Sequence, residues 1–108
     1  MRRLELSRDA VADIAAIGRY TRRTWGAEQA RRYNRRLTDR LISLKQRSRP
    51  GRTRADIAPS LRSLKSDRHV IYFTLEDEQV LVVRILHESM NPAARIAAGF
   101  ARLSGGLE

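Results

Sequence analysis

The sequence predicts an α+β domain with the element order β-α-α-β-β-β. Two observations lead to this prediction. After a short β-prone start, two consecutive segments space their apolar residues as amphipathic helices do. The rest of the chain offers three short β-prone segments separated by polar turns, which is typical of an antiparallel meander. We expect an antiparallel sheet with a helical hairpin on one face and a partly open face on the other side.

The first half of the chain contains the first strand and both helices. Arg3–Leu6 is a short β-prone segment, and Ser7 directly after it is a good helix N-cap. Apolar residues then recur at helical spacing as far as Trp25, and we expect Gly26 to end this first helix. The second helix carries one apolar stripe at three- and four-residue spacing: Ala30, Tyr33, Leu37, Leu41 and Leu44.

The second half of the chain contains the meander. Pro50 and Gly51 are expected to end the second helix, and a loop should follow as far as residue 60. Strands are predicted over 61–65, 69–75 and 80–87, and a short helix over 93–100. The chain is therefore predicted to be a single domain over 1–100, followed by a frayed tail at 101–108.

The composition indicates a basic protein without cysteine chemistry. The chain has 108 residues, with 22 Lys+Arg against 12 Asp+Glu and a formal net charge of +10. Such a charge favours an acidic protein partner or a nucleic acid. The absence of cysteine excludes disulfides, thiolate zinc sites and thiol nucleophiles. We expect a cytoplasmic protein, because no signal peptide or membrane-length apolar run occurs.

One arginine interrupts the otherwise apolar last strand. A buried charge costs free energy unless a partner satisfies it, so Arg84 needs one. Simple strand alternation would place Arg84 on the same face as Val80, Val82 and Leu86. Two interpretations stay open at this point. Arg84 pairs with a nearby acid, such as Glu88 or a helix carboxylate, or it meets a partner's carboxylate or phosphate on the open face.

The other polar residues do not indicate a catalytic or metal site. His69 and His87 are the only histidines, and the run Glu76-Asp77-Glu78 is typical of a solvated turn. The chain has no phosphate-binding loop and no nucleophile elbow. Its carboxylates fall mostly in turns and on helix surfaces, so no acid–base pair is indicated. We therefore predict no catalytic residue, no metal and no cofactor.

Three segments, taken in order, resemble the ParE toxins of the RelE/ParE superfamily, which belongs to bacterial type II toxin–antitoxin systems. They are Tyr20 to Ala30, then Leu61 to Leu64 with Arg68 to Tyr72, and Arg84 to Asn91. The resemblance extends over about residues 4–96 and implies the RelE/ParE-like fold. That fold has the same element order as the one predicted from the residues themselves.

The superfamily contains two activities, and the residues favour one of them. RelE-like members cut messenger RNA on the ribosome with basic and aromatic side chains. Val70 stands where those enzymes carry a catalytic arginine, Met90 stands at a later basic position, and no tyrosine follows Tyr72. The resemblance therefore implies the ParE branch, whose members trap the DNA gyrase cleavage complex without chemistry of their own. A RelE-like endonuclease and a plain nucleic-acid-binding module are the alternatives.

The resemblance also implies an acidic ParD-like antitoxin laid into a groove of the toxin. We expect three arginines to meet its carboxylates: Arg62, Arg68 and Arg84. Three further residues are candidates for contact with the target: Trp25, His87 and Met90. No sequence-specific DNA binding is expected. Few aromatic residues alternate with the arginines along the chain, which weighs against a plain nucleic-acid-binding module.

Overall fold

The structure, a computed structural model, describes residues 1–96 and confirms the predicted α+β class and element order. It adds one two-residue strand before the meander. The helices are α1 (Arg8–Trp25) and α2 (Ala27–Ser43), and the strands are β1 (Arg3–Leu6), β2 (Arg52–Thr53), β3 (Leu61–Ser66), β4 (His69–Leu75) and β5 (Gln79–His87). A helical turn covers 92–96, so the predicted helix over 93–100 lies partly outside the described residues, and the predicted tail at 101–108 lies wholly outside them.

The five strands form one mixed sheet in the order β1-β5-β4-β3-β2. Strands β2 to β5 pair antiparallel with their neighbours, as the meander predicts, but β1 pairs parallel to β5. The sheet therefore differs from the expected purely antiparallel one at this edge. Parallel neighbours need a long crossover connection, and here the two helices and the meander lie between the paired strands.

The helical hairpin begins and turns at the residues that the sequence indicated. The Ser7 hydroxyl accepts the backbone N–H of Ala10 at 3.0 Å, which caps α1. Gly26 joins the helices with a φ of +87°, a conformation that favours glycine. Because a single residue links the two helices, they pack side by side on the same face of the sheet.

The main core lies between this hairpin and the sheet. Its fully buried members come from both helices and from the two central strands: Ala10, Ile17, Tyr33, Leu37, Leu41, Leu44, Ile71, Phe73, Val80, Val82 and Ile85. Burying one large apolar side chain of this kind contributes about 1.5–3 kcal/mol. The predicted apolar stripe of α2 is buried over its whole length. The helical spacing predicted for α1 is only partly buried, because Ile17 and Thr21 are buried whereas Val11 and Trp25 are exposed.

A second, smaller core covers the opposite face of the sheet. It contains Leu61, Tyr72, Val83 and Leu86, and Ile96 is buried among them. Side chains from the loop between β2 and β3 pack against the same cluster. This face was expected to be partly open because no element was thought to remain to cover it, and the structure shows two segments that do. That loop and the helical turn at 92–96 fold over the face, which local sequence periodicity could not indicate.

A β-bulge in β5 changes which residues share a face. The register pairs Tyr72 with Arg84, but the next residue of β4 pairs with Val82, so Val83 is an extra residue. Val82 and Ile85 consequently both join the main core, although they are three residues apart. The predicted alternation, which placed Arg84 on the face of Val82, is wrong because the bulge shifts the alternation by one residue.

Candidate functional site

Five ring-bearing side chains form a continuous row from the helical hairpin to the end of β5. The ring centroids of Tyr20 and Trp25 are 6.2 Å apart, and those of Trp25 and Tyr33 are 5.8 Å apart. Tyr33 then meets His69 at 5.6 Å, and His69 meets His87 at 5.3 Å. Each distance lies in the range of favourable aromatic contacts. We call these five residues the aromatic row.

The fold, rather than the sequence order, assembles the aromatic row. Tyr20 and Trp25 lie in the last two turns of α1, and Tyr33 belongs to the buried stripe of α2. His69 opens β4 and His87 closes β5, and the antiparallel register places the two directly opposite each other. The tip of the helical hairpin and one end of the β4–β5 hairpin therefore meet at the row.

The aromatic row is buried at its centre and accessible at its ends. Tyr33 and His69 are only 5% and 6% exposed, whereas Tyr20 and Trp25 are 51% and 38% exposed. His87 is half-buried. Met90 follows it in the turn after β5, donating its backbone N–H to the His87 carbonyl at 3.0 Å with a side chain that is 40% exposed. The exposed ends form a surface on which large apolar groups reach solvent.

Hydrogen bonds fix the buried centre of the row. The Tyr33 hydroxyl lies 2.5 Å from His69 Nδ1 and accepts the backbone N–H of Arg68 at 3.2 Å. We assign the hydroxyl proton to the Nδ1 contact, which leaves the proton of the neutral imidazole on Nε2. Burial, followed by repulsion from His87, lowers the pKa of His69, and burial raises the pKa of Tyr33. Both groups therefore remain uncharged at neutral pH.

The outer histidine is held by the turn that follows it. The Nδ1 atom of His87 accepts the backbone N–H of Ser89 at 3.1 Å and lies 2.8 Å from the Ser89 hydroxyl. These local contacts orient the imidazole ring at the end of β5. The Nδ1 atoms of both histidines therefore form hydrogen bonds within the chain.

Arginines surround the aromatic row. The Arg36 guanidinium lies 5.7 Å from the centroid of the Tyr33 ring and pairs with Asp67 at 2.8 Å. Arg22 and Arg23 occupy the last turn of α1, between the two exposed rings in sequence. The side chains of Arg22, Arg23 and Arg68 are exposed and make no hydrogen bond or ion pair to another residue within 1–96. The row therefore lies in a positively charged surface.

The three candidate target residues come together in this region. Trp25 and His87 are members of the aromatic row, and Met90 lies in the turn beside it. Their contact with a target stays a prediction. Sequence analysis did not single out Tyr20 or His69 for this surface. The positions of His69 and His87 at the ends of two predicted hairpin strands could have indicated their pairing.

Arg84 is occupied within the chain. Its Nε and Nη2 atoms donate to the two carboxylate oxygens of Asp13, at 2.8 Å each, and the two side chains are 15% and 13% exposed. The same carboxylate accepts the backbone N–H of Ile85 at 2.8 Å. Of the two interpretations of Arg84, the structure thus favours pairing with a helix carboxylate. A partner's carboxylate would have to displace Asp13.

The other two candidate arginines lie at opposite ends of β3. The Arg62 Nε atom donates to the Pro50 carbonyl at 3.0 Å, a neutral acceptor that leaves the charge uncompensated. Arg68 is exposed in the turn after β3. Strand β2 pairs only with Arg62 and Ser63, so within the described chain residues 64–66 have no strand partner on that side. A cleft of about 350 Å³ runs along this edge, which we call the free β3 edge (residues 64–66).

No group of three or more His, Cys, Asp or Glu side chains within residues 1–96 is placed to hold a metal ion. None of the helices described there is long and apolar enough to cross a membrane.

Comparisons with known proteins agree on the family. The model of the ParE toxin of the type II toxin–antitoxin system parDE matches residues 4–92. Toxin ParE of Escherichia coli is 38% identical over 93 residues, covering 85% of this chain and 90% of that protein. Toxin ParE1 of Caulobacter vibrioides is 31% identical over 96 residues, covering 89% and 99%.

A solved structure described as the chromosomal ParDE TA system from P. aeruginosa shares the fold. It matches with a TM-score of 0.72 and 23% sequence identity, covering 81% of this chain and 96% of that one. The fold and the sequence matches together define a small toxin of a type II toxin–antitoxin system. The chain belongs to the ParE toxin family, as the resemblance of its three segments predicted.

Proposed function

We propose that the chain inhibits DNA gyrase by binding and trapping its cleavage complex with DNA, and that the aromatic row and Met90 supply the contact. Membership of the ParE family supports the choice of target. The observation that carries the choice of surface is the exposure of Trp25, a 38%-exposed indole supported from behind by the Tyr33 ring. Rigidly held aromatic side chains beside arginines are the usual anchors of tight interfaces.

We propose further that the chain inhibits by occupation and performs no chemistry. At the centre of the row, the Tyr33 hydroxyl and His69 Nδ1 hydrogen-bond to each other, so neither is free to act on a substrate. Val70 and Met90 carry no groups for proton transfer at the positions where RelE-like enzymes have basic residues. Such an inhibitor needs no cofactor and would act in the cytoplasm, where gyrase and the chromosome are found.

An acidic ParD-like antitoxin is the proposed natural antagonist. The free β3 edge offers unpaired main-chain groups to an extended segment, which is a common mode of peptide binding. Arg62 and Arg68 at its two ends are placed to receive carboxylates, and the net charge of +10 favours association with an acidic chain. Arg84 is left out of this proposal because Asp13 already neutralises it.

A supercoiling and cleavage assay with purified gyrase tests the proposed target. We expect the toxin to stop supercoiling and to raise the amount of linear DNA recovered after denaturation of gyrase. Trp25→Ala should weaken inhibition by about tenfold or more, the loss expected for a central aromatic anchor. Ile42→Ala is the matched control, because Ile42 is 47% exposed but lies outside the aromatic row.

Two outcomes would contradict the proposal. The first is normal supercoiling in the presence of folded toxin at micromolar concentration. The second is the appearance of new 5′ ends in translated messenger RNA, detected by primer extension, which would favour the RelE-like alternative. Equal inhibition by the Trp25→Ala and Ile42→Ala variants would leave the target in place but remove the aromatic row as the contact.

A further inference from the structure

We infer that the exposed end of the aromatic row binds single-stranded nucleic acid, with Trp25 and Tyr20 stacking on bases and Arg22 and Arg23 contacting phosphates. This inference rests on the proposed function, because it concerns the contact with the gyrase cleavage complex. It assigns the opened DNA of the cleavage complex, rather than the gyrase protein, as the group that these side chains contact. The surface itself follows from the geometry of this chain.

The two exposed rings form a stacking platform. Tyr20 and Trp25 meet edge to face, with an interplanar angle of 79°. In such an arrangement each ring shields only part of the other, and the side chains keep 51% and 38% of their surface exposed. The contact with Tyr33 holds the indole from the buried side. Aromatic rings held in this way bind unpaired bases with little sequence preference, because every base offers a π face.

Positive charge lies beside both rings. Arg23 follows Tyr20 by three residues and Arg22 precedes Trp25 by three, so each arginine lies one helical turn from a ring-bearing residue. Glu28 is the nearest acid in sequence, and it forms an exposed pair with Arg32 at 3.9 Å. The charge around the platform is therefore positive, which suits a phosphate backbone.

The platform fits a nucleic acid better than an acidic peptide. An extended peptide needs unpaired main-chain groups to bind, and within residues 1–96 the free β3 edge offers such groups beside a cleft. At the hairpin, the N–H groups in the last turn of α1 are used within the helix, and the Gly26 N–H donates to the Arg22 carbonyl at 3.0 Å, so no N–H is left for a peptide there. The sequence spreads its aromatic residues thinly among the arginines, but the fold gathers them at one place.

The sole tryptophan makes this inference directly measurable. Trp25 is the only tryptophan of the chain, so its fluorescence reports on this surface alone. Titration of the full-length protein with a short oligothymidine, without gyrase or antitoxin, should quench the fluorescence in a saturable manner. A duplex of equal length should quench less. The logarithm of the binding constant should fall linearly with the logarithm of the salt concentration, with a slope of about 0.7 per phosphate contacted.

Variants separate stacking from charge, with fluorescence anisotropy of labelled oligothymidine as the common readout. Trp25→Ala should weaken binding about tenfold with little change in the salt slope, and Trp25→Phe should restore most of the affinity. Replacing Arg22 and Arg23 together by glutamine should reduce the salt slope by about 1.4. The matched control replaces Arg3 at the start of β1 and Arg8 in the first turn of α1, two exposed arginines outside the aromatic row, and should leave the slope nearly unchanged.

The inference is overturned if oligothymidine does not quench Trp25 at low salt, or if Trp25→Ala binds it as tightly as the natural chain. Quenching by a polyglutamate peptide but not by oligothymidine would also overturn it, in favour of an acidic protein partner. The gyrase assay keeps the two proposals distinct. Oligothymidine binding without gyrase inhibition would contradict gyrase as the target and leave the nucleic-acid surface in place. Full gyrase inhibition by a variant that no longer binds oligothymidine leaves gyrase as the target but overturns this inference, and with it the aromatic row as the inhibitory contact.

Discussion

The carboxylate of Asp13 binds the Arg84 guanidinium and the backbone N–H of Ile85 together, with all three hydrogen bonds 2.8 Å long. Strand β1 pairs with β5 only as far as Val82, so side chains of the helix and its cap satisfy the next part of β5. The Ser7 hydroxyl donates to the carbonyl of the bulged residue at 2.7 Å, and Asp13 serves Ile85. Side chains of α1 and of its N-cap thus satisfy main-chain groups of β5 that β1 leaves unpaired.

Removing this carboxylate should destabilise the fold. Asp13→Ala leaves a largely buried guanidinium and a backbone N–H without their acceptor, and we expect a loss of about 2–4 kcal/mol in the free energy of unfolding. Asp13→Asn should lose less, because an amide oxygen can still accept the Ile85 N–H. Urea unfolding followed by Trp25 fluorescence measures both. A loss below about 0.5 kcal/mol for Asp13→Ala, the level of an ordinary surface change, would contradict the assignment.

A close backbone approach makes Gly51 sensitive to substitution. Its φ is +67°, and a Cβ atom there would lie 2.0 Å from the Ser63 carbonyl oxygen of β3. Gly51→Ala should therefore shift β2 away from β3 and lower the melting temperature. Gly26→Ala is the matched control, because Gly26 has a φ of +87° but nothing within 4 Å of an added Cβ. Equal losses for the two variants would show that backbone strain alone, about 1–3 kcal/mol, explains both.

The buried histidine should make stability depend on pH. Burial, then the neighbouring His87, lowers the pKa of His69, while Asp13, Glu88 and Asp67 oppose the shift. Below the unfolded value of about 6.5, the unfolded chain binds a proton that the folded chain excludes. Stability is thus fully present above that pH and is lost as the pH falls toward the folded pKa.

Replacement of the imidazole tests this dependence. His69→Gln keeps an acceptor for the Tyr33 hydroxyl but cannot titrate, so its unfolding free energy should change less between pH 7 and pH 5 than that of the natural chain. The difference in slope cannot exceed about 1.4 kcal/mol per pH unit. Denaturant unfolding at several pH values gives both slopes. Identical slopes would indicate that His69 accepts its proton in the folded protein as easily as in the unfolded chain.

The free β3 edge should control antitoxin affinity. Arg62→Glu combined with Arg68→Glu should weaken binding of an acidic ParD-like antitoxin by about tenfold or more and slow its association. Arg3→Glu with Arg8→Glu changes the net charge equally at exposed positions away from β3, and so isolates the local effect. Calorimetry and stopped-flow mixing measure the two quantities. Equal weakening by both pairs would mean that only the overall charge matters.

Local residue preferences account for the individual helices, strands and turns of this protein. Ser7 as a cap, Gly26 as the hinge of the hairpin and His69–Leu75 as a strand were all predictable. Each depends on the conformational preference of single residues or on periodicity within one segment. The absence of cysteine likewise excludes thiol chemistry, and the excess of arginine indicates an acidic partner or a nucleic acid, without knowledge of the fold.

Contacts between distant segments, by contrast, depend on the packing of the whole fold. The Asp13–Arg84 pair joins positions 71 residues apart, and the bulge at Val83 reverses the face that simple alternation assigns to Arg84. Trp25 and His87 likewise belong to one row only because the rings of Tyr33 and His69 lie between them. Local propensity cannot encode such contacts, because their free energy is gained only when segments distant in the chain pack together.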